Sequence, residues 1–305
     1  MATAVQNKFD SRFSESPAFD EPVIRPICEA DIEAAARAAF AAHSELAARN
    51  GHPSEHPNLA FSTSLVKVKV KDPNSRGFVA EQRGRILGSV FLNFFPSASI
   101  AAVGPLTVDP SAEGSGAGRL LLASALDLAN ECGVPHVRLV QSPAHLRSLV
   151  LYSKLGFAAR EPLVLMHGSA AAPVGDRSVR KANADDISPC ERLCERIHGF
   201  IRRDEISGAV EQGTATVVVH DGKITGYATG IGLRGHAVGE TTEDIKALIA
   251  AAPAIMGPGF FVPIRNTGLL RWLLANGYRA MWQATLMSSG SYQDPAGAFL
   301  PSIAY

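Results

Sequence analysis

The sequence predicts a mixed α/β fold of the α+β kind, made of two tandem copies of one unit. The order of local patterns in the first half of the chain returns in the second half, and such self-similarity is typical of a duplicated unit. Each copy contains short alternating stretches that indicate strands and longer periodic stretches that indicate helices. The chain has 305 residues, which exceeds the length of one typical domain. We therefore expect two domains, each with its own core.

The repeat begins with a short strand and a helix. Ile24-Arg25-Pro26 is followed by Ala30-Asp31-Ile32 and an alanine-rich helix. Val179-Arg180-Lys181 is followed in the same way by Asp185-Asp186-Ile187 and a second helix. Because the offsets between matched residues are the same, we expect both helices to start alike.

Two further matches follow in the same order. Alternating apolar residues on both sides of a tight glycine turn predict a hairpin in each copy, FVAEQRGRILGSVF in the first and TVVVHDGKITGYAT in the second. Near its end each copy has a helix that leads into an aromatic residue, SLVLYSKLGF ending at Phe157 and LLRWLLANGY ending at Tyr278. Three matches in one order indicate duplication rather than chance.

The elements of the first copy follow from its periodicity and turn signals. Its central helix ends at Gly133 with Pro135 beyond it, as helices commonly do. Six strands are expected near residues 22–27, 77–82, 86–95, 99–108, 136–141 and 157–167. Four helices are expected near residues 31–49, 57–71, 116–132 and 145–155.

Changes in composition predict the domain boundaries. Residues 1–20 lack the apolar core of a signal peptide and are expected to form a disordered arm. Small residues with proline and glycine replace the apolar pattern over residues 168–176, which predicts a linker. We therefore expect domains over residues 21–168 and 177–305.

Overall composition excludes several classes of partner. The chain has 29 basic and 29 acidic residues, so no net charge attracts nucleic acid or an acidic membrane. No apolar run is long enough to span a bilayer. The four cysteines are Cys28, Cys132, Cys190 and Cys194. They form no CxxC pair, and no histidine lies near them at metal-ligand spacing, which predicts buried thiols and no metal. These features predict a cytoplasmic globular protein.

The stretch VGPLTVDPSAEGSGAGRLLL, residues 103–122, is the most informative one. It contains a strand, an acidic turn, three glycines spaced two apart and a leucine-rich helix. Glycines let a ligand approach the backbone closely, and the first amides of the helix, with the positive end of its dipole, favour an anion. An ordinary glycine-rich turn is the alternative. A dinucleotide site is disfavoured, because residues 132–139 lack the carboxylate that it needs.

With GPLTVDP before the glycine loop and LYSKLGF one strand later, residues 22–167 resemble the GNAT acyl-CoA N-acyltransferase superfamily. The resemblance implies two tandem GNAT-like domains, each a mostly antiparallel sheet with flanking helices and a splayed central strand pair. It places the pyrophosphate of acetyl-CoA, the implied co-substrate, at the loop and helix start: Gly114, Ser115, Gly116, Ala117, Gly118 and Arg119. Glu113 stands where the family carries Arg or Gln, and its carboxylate should slightly disfavour a pyrophosphate.

The resemblance also implies catalytic roles. Backbone amides of Leu106, Thr107 and Val108 would bind the pantetheine arm and the acyl carbonyl, and Tyr152 of the LY motif would protonate the leaving CoA sulfur. The ordinary pKa of a phenol, about 10, is close enough to that of a thiol, about 8.5, for such a transfer. A core aromatic is the alternative for Tyr152. His145 replaces the asparagine that the family carries seven residues before this tyrosine.

No general base is evident in the sequence. Glu81, Asp109 and His145 should be near enough in the expected fold, but each is more typical of a turn, a cap or a helix start. Many members of the resembled family use water relays instead. His52 and His56 lie in a loop that could reach the acceptor, although spaced histidines in a polar loop are more typical of the surface.

The second copy is expected to keep the fold and lose the chemistry. The sequence HAVGETTEDIKALIAA replaces the glycine loop, and Thr241 with Asp244 fits a capping box, whose side chains occupy the amides that a phosphate would use. Glu240 and Glu243 add negative charge, and Leu273 aligns with the tyrosine of the first copy. The tail over residues 291–305 either walls the acceptor pocket or packs along the domain interface.

The resemblance thus implies an N-acetyltransferase that moves an acetyl group from acetyl-CoA to a primary amine, with residues 21–168 catalytic and residues 177–305 degenerate. Direct attack in a ternary complex is favoured, because no cysteine has a plausible base partner. The acceptor is a small-molecule amine or an amino terminus. The alternative is an acyl-CoA-binding sensor or pseudoenzyme without turnover, which Glu113 and the missing base favour. Monomer and homodimer are both open.

Overall fold

The computed structural model describes residues 21–51, 54–95, 97, 99–169 and 175–304. The arm predicted over residues 1–20, most of the linker predicted over residues 168–176, and His52 lie outside the described residues. The described chain divides into two compact units. Of the described residues, those within 21–51, 54–95, 100–137 and 144–157 form the first unit, and residues 97, 99, 138–143, 158–169 and 175–304 form the second.

The first unit is an antiparallel sheet with helices packed on it. Its strands follow one another in the order β1 (Val23–Pro26), β2 (Ser75–Gln82), β3 (Arg85–Phe94) and β4 (Ile100–Val108). Its helices are α1 (Ile32–Asn50), α2 (Leu59–Lys71), α3 (Ala117–Glu131) and α4 (Leu146–Lys154). β5 (His136–Gln141) contributes its first two residues to this unit and the others to the second.

β3 lies at the centre of the first unit. Residues 87–93 are all buried, and a continuous buried run shows that both faces of the strand are covered. α1 and α3 both pack on it. α1 approaches closely because it presents small side chains, with Ala35, Ala36 and Ala39 completely buried. The packing of α3 on this strand sets the position of the glycine loop, which precedes the helix.

The second unit contains two groups of antiparallel strands. A five-stranded sheet has the order β13 (Ala298–Leu300), β10 (Ala237–Gly239), β9 (Lys223–Ala228), β8 (Thr216–His220) and β7 (Ser178–Lys181). The other group has β6 (Ala158–His167) between β12 (Arg279–Ser289) and β11 (Phe260–Pro263). The helices are α5 (Ile187–His198), α6 (Arg203–Glu211), α7 (Thr242–Ala250) and α8 (Thr267–Ala275).

β6 is the last strand of the first sequence copy, yet it belongs to the second unit. Leu163 in this strand pairs with both Pro263 and Ala284. Leu163 and Leu165 are completely buried. The strand itself occurs where periodicity predicts it, but its partners lie about a hundred residues further along the chain, where no local pattern could point to them.

The start of both copies is alike in atomic detail, as the matched offsets predict. Arg25 donates hydrogen bonds of 2.7 Å to both carboxylate oxygens of Asp31, and Arg180 donates bonds of 2.6 and 2.8 Å to those of Asp186. In each copy the carboxylate also accepts the backbone N–H three residues earlier, at 2.9 Å. Hydrogen bonding by Arg25 lowers the pKa of Asp31 to about 2, against the opposing effect of burial. One charged motif therefore starts the first helix of both copies.

The tail of the second copy contains a strand, which neither interpretation of its sequence predicted. Residues 298–300 form β13 and pair antiparallel with β10. Phe299 and Leu300 are buried. Three residues are too few to form a periodic pattern, so the pairing has to be seen in the structure.

The prediction that the cysteines are buried is correct for only two of them. Cys190 and Cys194 are buried on α5, whereas Cys28 is exposed and Cys132 is partly exposed. The two buried thiols lie four residues apart, so both face the same side of the helix. Cys28 precedes a helix start instead, where its side chain donates to Asp31 at 3.2 Å.

Candidate functional site

A short capped turn connects β4 to the glycine loop. The carboxylate of Asp109 accepts the N–H of Ser111 at 2.9 Å and a hydrogen bond of 2.9 Å from Arg85. Burial alone would raise the pKa of Asp109, but the Ser111 hydrogen bonds and Arg85 outweigh it and lower the pKa below its ordinary value. The ionised carboxylate therefore holds the turn and directs the chain into the loop.

Gly114 and Gly116 have backbone conformations that favour glycine. Each has a φ of +87°, in the left-handed region. A Cβ atom built on either would meet nothing within 4 Å, so free space lies beside the loop. Gly116 is the N-cap residue of α3, and the N–H groups of Gly118 and Arg119 in the first turn have no intrahelical acceptor. Open amides at the positive end of a helix, beside free space, are suited to a phosphate.

The other residues of the predicted loop differ in exposure. The hydroxyl of Ser115 accepts the N–H of Ala117 at 3.3 Å, and Ala117 is buried. A Cβ atom built on Gly118 would lie 3.5 Å from Val108, which is ordinary contact. Arg119 is exposed. The structure thus brings the six predicted loop residues together at the start of one helix, beside the end of β4.

Two arginines hold Glu113 at the edge of the loop. Its Oε2 lies 2.7 Å from Nη1 of Arg147 on α4, and its Oε1 lies 3.6 Å from Nη1 of Arg49 at the end of α1. Arg49 also pairs with Glu45. The two guanidinium groups offset part of the negative charge of Glu113, so they reduce the repulsion that its carboxylate is expected to exert on a pyrophosphate.

The end of β4 carries the residues predicted to hold the acyl arm. Leu106, Thr107 and Val108 pair with residues 90, 89 and 88 of β3. A register shift just before them places two residues of β4 opposite one of β3, a bulge of the kind that re-aims a strand. Thr107 is buried, and its hydroxyl has no hydrogen-bond partner among the described residues. The predicted splay of this strand from its neighbour stays a prediction.

Tyr152 lies on α4, next to the start of α3. A Cβ atom built on Gly118 would lie 3.7 Å from Leu151, which adjoins Tyr152 in sequence. The tyrosine is 9% exposed, and its ring centroid lies 5.9 Å from that of Phe157. Burial raises the pKa of the phenol to about 12, against the opposing effect of a hydrogen bond with Ser148. Its place beside the loop fits a proton donor, but its pKa is higher than the ordinary value on which the sequence argument relied.

The three candidate bases all have other partners. Oε2 of Glu81 accepts a hydrogen bond of 2.7 Å from Arg25, and Asp109 caps the turn described above. His145 is the N-cap residue of α4, with Nδ1 hydrogen-bonded to the hydroxyl of Ser148. Burial lowers the pKa of His145, so its ring is neutral at pH 7. The predicted turn, cap and helix-start positions describe these residues better than a role as free base.

Two histidines stack on each other in the first unit, with His56 buried and His43 partly exposed. The ring centroids of His43 and His56 lie 3.8 Å apart with nearly parallel planes, and Nδ1 of His56 lies 2.8 Å from the hydroxyl of Ser62. Burial lowers the pKa of His43 to about 3, helped by His56 and His145, and lowers that of His56 to about 4. The expectation that His56 is a surface residue is wrong, because its stacking partner comes from the preceding helix.

The corresponding helix start in the second unit is closed by side chains. Oγ1 of Thr241 accepts the N–H of Asp244 at 3.3 Å, and the carboxylate of Asp244 accepts the N–H of Thr241 at 2.9 Å. This confirms the predicted capping box. The carboxylate is 1% exposed and also accepts bonds from Thr225 at 2.8 Å and from Arg177 at 3.0 Å. These contacts occupy amides of the helix start that a phosphate would need.

Charge repulsion contributes less at that helix start than its sequence suggests. Glu240 pairs with Arg196, and Glu243 lies 2.7 Å from Lys246. Leu273, at the position that corresponds to Tyr152, is completely buried in the core. The second copy therefore differs from the first mainly by its closed cap and its missing phenol.

Arg49, Arg147 and Ser148 are the site residues that were not predicted. Ser148 has a signal in the sequence, because it lies four residues before Tyr152 on one helix and residues at this spacing share a face. The two arginines have none. Arg147 lies 34 residues after Glu113, and only the packing of α4 beside the loop brings them together.

Two further observations concern the described part of the chain. It contains no group of three or more His, Cys, Asp or Glu side chains that could hold a metal ion. Within the same residues, no helix combines the length and apolar character that crossing a bilayer requires.

One protein-family model matches the part of the chain that contains the glycine loop and Tyr152. Residues 39–157 match the model of the Acetyltransferase (GNAT) family. A mycothiol acetyltransferase from Thermomonospora curvata is 38% identical over 80 residues, which are 26% of this chain and 27% of that protein. The chain thus aligns with about a quarter of the length of this curated relative.

Solved structures resemble nearly the whole chain. A protein from Pyrococcus horikoshii described as an acetyltransferase has a TM-score of 0.68 at 15% identity, covering 92% of this chain and 93% of that one. A GCN5-related N-acetyltransferase from Sphaerobacter thermophilus has a TM-score of 0.58 at 12% identity, covering 92% and 99%. A tandem GNAT protein from the clavulanic acid biosynthesis pathway has a TM-score of 0.54 at 15% identity, covering 90% and 99%. This similarity confirms the predicted fold, mixed α/β with mostly antiparallel sheets and flanking helices in a tandem GNAT arrangement.

Proposed function

Since residues 39–157 match the model of the Acetyltransferase (GNAT) family, we propose that the protein moves an acetyl group from acetyl-CoA to a primary amine. The acceptor is a small-molecule amine or an amino terminus. The amine attacks the thioester directly in a ternary complex. The two thiols on α5 are unsuited to a covalent relay, because burial raises the pKa of Cys190 to about 12 and also raises that of Cys194, and a buried thiol that stays protonated is a poor nucleophile.

The glycine loop carries this proposal. It combines the open amides of Gly118 and Arg119, the positive end of α3 and free space beside Gly116, which together suit the pyrophosphate of CoA. Arg49 and Arg147 add guanidinium groups at the edge of the loop. The second copy has a closed cap at this place. We therefore assign acetyl-CoA binding and catalysis to the domain over residues 21–168. Residues 177–305 form, in this proposal, a degenerate domain that has lost this chemistry.

Each remaining site residue has a role in the proposal. Backbone amides of Leu106, Thr107 and Val108 hold the pantetheine arm and polarise the acyl carbonyl, as preorganised donors do in acyl transfer. Tyr152 donates a proton to the departing sulfur. Proton transfer from a phenol with a pKa of about 12 to a thiolate is unfavourable in free energy, since the ordinary pKa of a thiol is about 8.5. Hydrogen bonding by Ser148 makes the transfer less unfavourable, because it stabilises the phenolate.

The setting of the reaction also belongs to the proposal. The four cysteines are free thiols, which is typical of a reducing compartment, and we place the protein in the cytoplasm. The balance of 29 basic and 29 acidic residues supports neither a nucleic-acid partner nor a membrane. No resident metal takes part in the proposed transfer.

Calorimetry with acetyl-CoA and a thiol-release assay test the proposal together. The assay uses a panel of small amines, amino sugars, amino acids and peptides with free amino termini, and mass spectrometry of each product identifies an acetylated nitrogen. We expect one acetyl-CoA site per chain and thiol release above background hydrolysis with at least one class of amine. Absence of acetyl-CoA binding would overturn the proposal.

A pair of glycine variants locates the acetyl-CoA site. Gly116→Ala and Gly133→Ala both place a Cβ atom at a positive φ, +87° and +72°, with nothing within 4 Å. Each should therefore lower the free energy of unfolding by about 1–2 kcal/mol. Only Gly116→Ala should weaken acetyl-CoA binding in calorimetry, because Gly133 lies at the other end of α3. Equal affinity in the two variants would mean that the pyrophosphate binds elsewhere.

A second candidate function is an acyl-CoA-binding sensor without turnover. The observation that favours it is the buried phenol, since a raised pKa weakens the only acid that the site offers among the described residues. The same assays separate the two functions. Tight acetyl-CoA binding with no thiol release beyond hydrolysis, for any amine in the panel, would select the sensor.

A further inference from the structure

Three polar side chains form a line along one face of α4. Nδ1 of His145 is hydrogen-bonded to the hydroxyl of Ser148. Ser148 lies one helical turn before Tyr152, and hydrogen bonding by Ser148 lowers the pKa of the Tyr152 phenol against the larger effect of burial. The spacings of three and four residues place all three on the same helix face. Exposure decreases along the line, because His145 and Ser148 are partly exposed while Tyr152 is buried. The line therefore joins the buried phenol to a ring that water can reach.

A buried acid needs such a connection if it acts in every turnover. After Tyr152 gives up its proton, a phenolate remains in a site where burial disfavours charge. Ser148 can return a proton to the phenolate only if it receives one from a further donor. His145 can serve as that donor, because a neutral imidazole has an N–H at one ring position and an acceptor at the other.

Resting on the proposed acetyl transfer, we propose that Ser148 and His145 form a proton relay that reprotonates Tyr152 in each turnover. Tyr152 is the catalytic residue, since it meets the reacting sulfur. Ser148 and His145 are positioning residues that act through it. The relay gives a reason for the histidine at position 145, which otherwise only begins a helix.

Protons and charges balance along the relay. Tyr152 gives its phenol proton to the thiolate, so that an S–H bond forms as the O–H bond breaks. The phenolate takes the hydroxyl proton of Ser148, and the serine oxygen takes the proton on Nδ1 of His145. Nε2 of His145 takes a proton from water, so the ring stays neutral, and exchange with water later restores the Nδ1–H form. The hydroxide left in water combines with the proton that the amine nitrogen loses on acylation.

The groups that face His145 keep its ring neutral, as the relay requires. Burial lowers the pKa of His145, Arg147 on its own helix and Arg49 on α1 lower it further, and Glu113 of the loop opposes them. His43 on α1 also faces this ring. The pKa of His43 is about 3, so it is uncharged at pH 7 and adds no positive charge. At neutral pH the imidazole can therefore donate from one nitrogen and accept at the other.

Variants of His145 test the relay in the full-length protein. His145→Asn keeps an N–H donor for Ser148 but cannot pass a proton on, and His145→Ala removes the donor. We expect kcat to fall about 10²-fold in both, at the lower end of what proton transfer contributes, with KM for acetyl-CoA unchanged. Added imidazole should restore kcat of His145→Ala and leave His145→Asn unaffected, which a loss of packing alone would not produce.

Matched controls separate the relay from general damage to the helix. Ser148→Ala should lower kcat as His145→Asn does, whereas Ser153→Ala on the exposed face of α4 should not. His167→Asn, at an exposed strand end, controls for loss of a histidine. A further readout is kcat in mixtures of H2O and D2O, plotted against the fraction of deuterium. The plot should be curved for the wild type, because several protons move in one turnover. It should be a straight line for His145→Asn.

Nitrogen-15 NMR of the histidine rings provides a readout without turnover. The resonances of His145 are those that disappear in His145→Asn. The relay requires the Nδ1–H form of the neutral ring in the wild type, a form that hydrogen-bond geometry alone does not establish. Finding the Nε2–H form instead would overturn the relay whatever the enzyme assays give.

The kinetic outcomes distinguish failure of the relay from failure of the proposed function. If the wild type releases thiol with an amine and His145→Asn keeps the wild-type kcat, the relay is wrong and the acetyltransferase stands. If the wild type binds acetyl-CoA and releases no thiol with any amine, both are wrong and the sensor is selected.

Discussion

Tyr152 combines a place beside the glycine loop with almost complete burial. Burial raises the pKa of the phenol to about 12, which makes it a weaker acid than a tyrosine in water. The second copy shows what the fold needs here, because Leu273 fills the corresponding position and is completely buried. An apolar side chain is thus enough to fill this position in the second copy. Packing alone therefore does not explain the hydroxyl of Tyr152.

Replacing Tyr152 with phenylalanine should lower turnover more than affinity. Tyr152→Phe removes one hydroxyl and keeps the ring against Phe157, so we expect kcat to fall about 10²-fold or more and Kd for acetyl-CoA to stay near the wild-type value. Thiol-release kinetics and calorimetry measure the two quantities.

Tyr278→Phe is the matched control for the loss of a phenol hydroxyl. Tyr278 is also buried, and its hydroxyl has no hydrogen-bond partner among the described residues. Removing that hydroxyl should change neither kcat nor affinity. An unchanged rate in Tyr152→Phe would make Tyr152 a core residue.

Glu113 forms ion pairs with two arginines that an anionic ligand could also bind. Arg147 and Arg49 lie at the edge of the same loop and are both partly committed to the carboxylate. Side chains of this exposure form ion pairs worth about 0–1 kcal/mol, so a ligand with several negative charges can compete for the guanidinium groups.

Neutralising Glu113 should therefore strengthen acetyl-CoA binding. For Glu113→Gln we expect a gain of about 0.5 kcal/mol, or roughly a twofold lower Kd, at low salt. The gain should shrink as salt is raised, because the charges are exposed to screening. Glu243→Gln, which breaks a similar pair with Lys246 in the second unit, should leave Kd unchanged. Weaker binding in Glu113→Gln would mean that Glu113 positions the arginines rather than competing for them.

At the scale of elements, both copies begin their first helix with the same charged motif. Arg25 with Asp31 and Arg180 with Asp186 form two hydrogen bonds each, and in both copies the aspartate pKa is lowered by hydrogen bonding to the arginine. The motif is local, since the paired residues lie six positions apart. It could therefore be matched in the sequence before the structure was known.

The motif should make stability depend on pH in acid. Hydrogen bonding lowers the pKa of Asp31 in the folded state to about 2, from an ordinary value of 3.8. The stabilising effect of the carboxylate is therefore fully present above pH 3.8 and is lost as pH falls towards about 2. Urea unfolding at a series of pH values should show the wild type losing stability over this window. Asp31→Asn should lose less, because it has no carboxylate to protonate there.

Glu33→Gln is the control for this measurement, since Glu33 lies on the same helix and is exposed. It should follow the wild-type curve. Identical curves for Asp31→Asn and the wild type would show that the Arg25 pair contributes nothing to stability.

Local patterns predicted the elements well, and contacts between distant residues account for what they did not predict. The capping box of Thr241 and Asp244 spans three residues and was recognisable. The arginines around Glu113 and the stack of His43 on His56 depend on contacts between a loop and helices that lie apart in the chain, so no spacing in the sequence signals them. The same reason explains why the loop residues could be predicted as a set while the pKa of Tyr152 could not.

At the scale of the whole molecule, the site residues of the first copy lie in the first unit, whereas the tail completes a sheet of the second. Phe299 is 2% exposed and its ring lies 5.1 Å from that of His198. A buried phenylalanine of this kind fills space that other side chains cannot easily take. The tail should thus support the second unit and leave the acetyl-CoA site as it is.

Phe299→Ala tests that division. Removing a buried phenylalanine costs about 3–5 kcal/mol, so we expect a clear fall in the free energy of unfolding, measured with urea. Kd for acetyl-CoA, measured well below the unfolding temperature, should not change. Ile303→Ala, at an exposed position in the same tail, should alter neither quantity. A weaker Kd in Phe299→Ala would show that the tail contributes to the site.

The membership of β6 in the second unit has a consequence for synthesis on the ribosome. His167 pairs with Arg279, so this strand emerges about a hundred residues before its partners. At a synthesis rate of about 5–20 residues per second, it waits roughly 5–20 s. During that time two rows of backbone groups and a hydrophobic run are unpaired, which is the state in which strands aggregate. Slow codons between β6 and β12 would lengthen this exposure, and the yield of soluble protein should depend on how fast that part of the message is read.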